Sequence, residues 1–177
     1  WKDAVSGNWS DAAKWLGGSI PTLADSADIS VAGTYTVTVT SDPDAQSIGL
    51  GGASGTQTLL ASGQTIGAAG GVFVGVHGQL LLAGTSTVSA ALDNAGTLQV
   101  AASANAAITG GVTTVAGSAI VFNDAATLTV ASGFTSNGSI GVANGGSDAP
   151  RLVVGSGTLV IGPTGTVSTG GGGLDLR

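Results

Sequence analysis

A short phrase recurs along this chain at nearly fixed distance, and that recurrence constrains the fold more than any single residue. It reads Gly96-Thr97-Leu98-Gln99-Val100, then Ser118-Ala119-Ile120-Val121-Phe122, Gly138-Ser139-Ile140-Gly141-Val142 and Gly157-Thr158-Leu159-Val160-Ile161. Each phrase alternates apolar with small or polar residues, which puts one set of side chains on one face of a strand. With the middle apolar residue as the register mark, the marks fall at Val37, Leu59, Leu80, Leu98, Ile120, Ile140 and Leu159. The steps are 22, 21, 18, 22, 20 and 19 residues. Periods of this size are the signature of solenoids and arrays.

A second apolar mark follows each first one, at Ile48, Ile66, Val88, Ile108, Leu128, Leu152 and Val167. A third follows in most units, at Val72, Leu92, Val112, Phe134 and Leu174. Three short strands per unit leave turns of a few residues. Gly, Asn, Asp and Ser fill those turns, as in Asp93-Asn94-Ala95-Gly96 and Ser136-Asn137-Gly138, and these residues accept the backbone that a corner needs. The pattern predicts an all-β chain, a single-stranded parallel β-helix of about seven rungs, on the order of 35 Å long at the strand spacing of a sheet. Crossover chirality predicts a right-handed coil. The rival is an antiparallel sandwich, which also shows short strands with regular turn signals. The long-period register favours the solenoid.

The division expected is a Trp-rich segment, residues 1–31, followed by a β-solenoid over 32–177. All three Trp lie in the first segment, at Trp1, Trp9 and Trp15. Ser10 is placed as the N-cap of one helical turn, with Asp11 near its positive end. The cluster reads as a cap over the first rung, with an aromatic saccharide platform as the sharper alternative. Thr34 to Thr40 forms the clearest strand, its Thr residues facing out as β-propensity allows. An ice-binding Thr ladder is disfavoured, because the other Thr residues are scattered. Residues 143–151 read as the longest corner excursion, with Asp148 and Arg151 placed to pair across it.

Composition narrows the function classes. Charged residues are 8% of the chain and mean hydropathy is +0.45, so the chain is expected to fold rather than stay disordered. All ten acidic residues are Asp, a residue that serves corners and caps. Four basic residues, Lys2, Lys14, Arg151 and Arg177, make no patch for phosphates, which argues against nucleic acid. No stretch marks membrane insertion. With no Glu, one His (His77, at a corner) and no Cys, the chain offers no catalytic pair, no cofactor motif and no side-chain metal set. Asp25 and Asp28 stand close enough to suggest Ca²⁺, but the Gly-Gly-x-Gly-x-Asp repeat of calcium β-rolls is absent, so both read as corner residues. The expectation is a protein that is not an enzyme. The chain starts at Trp1 with no signal peptide, as a mature product or an excised piece would.

Asn8-Trp9-Ser10-Asp11-Ala12-Ala13-Lys14-Trp15, with Gly17-Gly18, Pro21, Asp25 and the strand Gly33-Thr34-Tyr35-Thr36-Val37, resembles the opening module of long repetitive bacterial surface proteins. The Asn-Ala-Gly-Thr-Leu and Asn-Gly-Ser-Ile phrases resemble the passenger repeats of autotransporters and filamentous-haemagglutinin-like adhesins. The resemblance implies a secreted, cell-surface right-handed β-helix used as stalk, adhesin or assembly unit, and it carries over no catalytic residue. The solenoid pattern runs up to Leu174 and Leu176 without a blunting element, and an open end of that kind invites strand pairing. Two explanations fit such an end: a longer solenoid that continues past Arg177, with neighbouring solenoid repeats as the partner, or an extracellular building block that assembles end to end with copies of itself, which is the expectation. Trp1, Trp9, Trp15, Leu174 and Leu176 are the candidate docking residues. The alternative is an adhesive or carbohydrate-binding stalk module that meets surface glycans.

Overall fold

The computed structural model describes residues 1–143, 148–169 and 173–177. Within them the chain is a β-solenoid of about seven turns, and each full turn gives one short strand to each of three sheets. Sheet 1 has eight strands: Gly7–Asn8, Tyr35–Val39, Gln57–Ser62, Gly78–Ala83, Thr97–Val100, Ala119–Phe122, Ser139–Val142 and Thr166–Ser168. Sheet 2 has seven: Asp44–Ala45, Thr65–Ala68, Thr87–Val88, Asn105–Ile108, Thr127–Val130, Arg151–Val154 and Asp175–Leu176. Sheet 3 has seven: Ser26–Ile29, Ser47–Leu50, Val72–Val74, Leu92–Asn94, Val112–Thr114, Phe134–Ser136 and Leu159–Ile161. Neighbouring strands pair in parallel, as Leu80, Leu98 and Ile120 do in register. Parallel pairing rules out the sandwich.

Alternation and stacking together build the core. In sheet 1 the column Val37, Leu59, Leu80, Leu98, Ile120, Ile140 is wholly buried. Ile66, Val88, Ile108 and Val130 line sheet 2, and Ile48, Val72 and Leu92 line sheet 3. Full burial of each such side chain contributes roughly 1.5–3 kcal/mol. Aliphatic neighbours of similar size above and below make the contacts repeat, so the core is a stack of layers rather than one central cluster.

Glycine sets the pitch at the corners. Gly51 has φ +111°, and a Cβ there would lie 2.9 Å from Gly78 N. A Cβ on Gly96 would overlap the carbonyl oxygens of Gly75 and Gly78 in the turn beneath. No other residue type lets successive corners approach so closely.

Several expectations need correction. Leu159 is not the seventh mark of sheet 1: it pairs with Phe134 in sheet 3, and Val167 takes the place beside Ile140. That step is therefore 27 residues, lengthened around the corner excursion. The excursion's centre, residues 144–147, lies outside the described residues. Ile48 belongs to sheet 3, where it meets Ala27 and Val72, and Ala45 fills the sheet 2 position of that turn. Arg151 pairs with Asp175 at 3.2 Å rather than with Asp148, whose backbone amide donates to Asp124 Oδ1. The helical turn is a 3₁₀ turn, Ala12–Lys14, capped by Asp11, whose Oδ1 accepts from Ala13 N at 3.0 Å. Ser10 instead shares a hydrogen bond with Thr40 Oγ1.

Candidate functional site

Residues 1–31 supply Gly7–Asn8 and Ser26–Ile29, the first strands of sheets 1 and 3. Trp1 before the first of these strands and Trp9 and Trp15 between the two gather over the end of the stack. Trp1 meets Trp15 edge to face at 5.1 Å between centroids, and Trp9 meets Trp15 at 4.8 Å. Offset edge contacts of this kind suit the ring quadrupoles. Two of the three indole N–H groups bond to backbone within the segment: Trp15 Nε1 donates to Trp9 O and Trp1 Nε1 to Val5 O. Trp9 N donates to Thr38 O, which ties the cluster to the next strand. All three indoles are buried. Little of any ring is therefore open to stack a sugar. Around them, Leu16 is 85% exposed, and Val5, Ile20 and Leu23 are also exposed.

The opposite end is built differently. Inward positions that are sealed in earlier turns stand open in the last one: Ile161 is 41% exposed, Val167 39% and Leu176 46%. Leu152, Val154, Leu159, Ile161 and Leu176 border a cavity of about 340 Å³ there. Leu174 is half-buried and packs against the core. Asp175 accepts from both Arg151 Nε and Arg177 Nε, at 3.2 and 2.8 Å. The docking residues expected from the sequence thus fall at the two ends, with the Trp residues beneath the surface of theirs and Leu176 partly open at its own.

Asp25 and Asp28 are occupied locally. Asp25 Oδ2 accepts from Thr22 N and Thr22 Oγ1, at 3.0 and 2.8 Å. These hydrogen bonds hold its carboxyl below the ordinary Asp pKa. Asp28 Oδ2 accepts from Ser30 Oγ. Among the described residues no three His, Cys, Asp or Glu side chains gather as a metal site.

Sequence reasoning missed an internal polar column. Val74, Asn94, Thr114, Ser136 and Ile161 stack in register where sheet 3 turns toward sheet 1. The three middle residues are buried. Asn94 Nδ2 donates to Ala119 O, and its Oδ1 accepts from Gly96 N. Thr114 Oγ1 accepts from Asn137 N at 2.9 Å. Gln57 does similar work at an earlier corner, bonding Gly52 N, Gly33 O and Ser54 O. These side chains satisfy corner amides that the ladders leave over. The available signal was the spacing of Asn94, Thr114 and Ser136, each two residues after a third apolar mark.

No protein-family model, curated protein or solved structure matches this chain.

Proposed function

We propose that this chain is an extracellular structural protein, a β-solenoid unit that stacks end to end into a filament or surface layer. One observation carries the reading. The inward columns stay open in the last turn, at Ile161, Val167 and Leu176, and another parallel turn would cover them. In this reading a second copy supplies that turn, seating its Trp-supported end and exposed Leu16 and Leu23 over the open columns. Such a head-to-tail contact propagates without closing. The sequence resemblance to repetitive bacterial surface proteins fits a role of this kind outside the cell.

Electron microscopy of the purified chain, dilute and concentrated, tests the reading. Filaments with an axial repeat near one rod length are expected, and Ile161→Asp is expected to abolish them. Single short particles at every concentration overturn end-to-end assembly.

A further inference from the structure

We infer that sheet 1 carries a second interface, through which two copies pair side by side. This goes beyond axial stacking and does not depend on it. The outward positions of sheet 1 form long straight rows. One row runs Thr36, Thr58, Gln79, Thr97, Ala119, Ser139, Thr166. The next runs Thr38, Leu60, Leu81, Gln99, Val121, Gly141, Ser168. Ser62 and Ala83 continue the face at the strand ends.

Charge separates this face from the others. None of the eight strands of sheet 1 contains a charged residue, although the chain has fourteen (four basic and ten acidic). The outward row of sheet 3 holds Asp28 and Asp93, and the strands of sheet 2 hold Asp44, Arg151 and Asp175. For a chain of net charge −6, like-charged copies approach at least electrostatic cost across the uncharged face. Asp42 and Asp124 stand beyond its strand ends, where the solvated rim of an interface would lie.

The face is also internally hydrogen-bonded. Thr58 Oγ1 donates to Gln79 Oε1 at 2.9 Å, and Gln79 Nε2 donates to Gln99 Oε1 at 2.7 Å. Bonded to one another in this way, the long polar side chains ask little of a partner. Leu60, Leu81 and Val121 then give the central row an apolar middle. The size is close to sufficient. Eight strands at sheet spacing span about 34 Å, and the two full outward rows with the short third row of Ser62 and Ala83 span about 15–20 Å, which gives roughly 500–700 Å² per copy. A stable interface needs about 800 Å² per partner, so the face is close to that size before side-chain relief is counted. A second copy rotated about a two-fold axis near Leu81 and Gln99 lays the same uncharged rows on themselves.

The test uses the Ile161→Asp background, where axial stacking is blocked, and reads mass by sedimentation velocity. A dimer is expected, and raising salt from low to moderate ionic strength is expected to leave it intact. Leu81→Lys is expected to convert it to monomer, whereas Phe73→Lys, on the outward face of sheet 3, is expected to leave it dimeric. Gln99→Lys repeats the test if Leu81→Lys fails to fold by circular dichroism. A monomer in the Ile161→Asp background overturns the lateral interface, whatever electron microscopy shows of filaments. So does a dimer that survives the sheet 1 lysines, or one lost equally with Phe73→Lys.

Discussion

The first and last turns of the solenoid face the same physical problem and meet it differently. Both expose the edge of a parallel stack, where inward side chains and strand amides lack a neighbour. At the first turn three indoles fold over the stack and bury one another. At the last turn Ile161, Val167 and Leu176 stand partly open, and two arginines share Asp175 at the margin. The edge of a parallel stack can thus be closed from within, by local aromatic packing, or left in a form that another turn completes.

Trp9→Ala is the change that strikes this comparison hardest. Trp9 is buried, its backbone carbonyl holds Trp15 and its amide holds Thr38. Truncation is expected to cost about 3–5 kcal/mol, the range for a large aromatic in a core. Urea unfolding followed by circular dichroism measures it. A loss near zero would mean that the indoles decorate an end that is already stable without them.

The corner column sharpens the contrast. Asn94, Thr114 and Ser136 hydrogen-bond through the interior, but the residue in register beyond them is Ile161, which is apolar and open. Thr114→Val keeps the shape while leaving the Asn137 and Gly138 amides without their acceptor. It is expected to cost about 1–3 kcal/mol, the penalty for orphaned buried donors. A neutral result by the same unfolding measurement would show that the interior corner is held by apolar stacking alone.

The same contrast marks what the sequence could reveal. Val37, Leu59, Leu80, Leu98, Ile120 and Ile140 were legible as one column because alternation and period agreed at each of them. Agreement failed at Leu159, because an insertion between turns lengthens the chain without changing the stacking, and period alone cannot say which sheet absorbs it. The buried Asn94 and Ser136 were illegible for another reason. Asn and Ser are ordinary corner residues, and whether such a side chain points out or in depends on the orphan amides of the next turn. The clustering of the Trp residues was legible; their burial against one another depended on how Gly7–Asn8 and Ser26–Ile29 enter different sheets.

At the open end, Val167→Ala is expected to cost only about 0.5–1 kcal/mol in dilute protein, because a partly exposed side chain has less burial to lose. Raising the protein concentration into the assembled range is expected to increase that cost, since a covering turn would bury Val167. Unfolding midpoints at two concentrations, for the parent and the variant, measure both. A cost that matches Trp9→Ala in dilute solution breaks the comparison, because it would show the last turn to be as sealed as the first.

The smallest expected effect lies just inside the closed end. Tyr35 is buried, and its hydroxyl has no hydrogen-bond partner of good geometry among the described residues. Burial pushes its pKa above the usual tyrosine value, partly offset by the nearby Val31 backbone and reinforced slightly by Asp28. Tyr35→Phe removes an unpaired oxygen and keeps the ring, so near neutral pH it is expected to change stability by under about 1 kcal/mol, in either direction. The pH dependence is the sharper readout. Below about pH 10 the hydroxyl is protonated in both folded and unfolded chains and favours neither. Above that, the unfolded chain ionises first, so folding stability falls until the pH passes the raised folded value. Parent and Tyr35→Phe stabilities are expected to keep a constant offset below about pH 10 and to diverge above it, the parent losing stability relative to the variant. Curves that stay parallel across that range would place the Tyr35 hydroxyl in contact with water, and the seal beneath the indoles would then be incomplete.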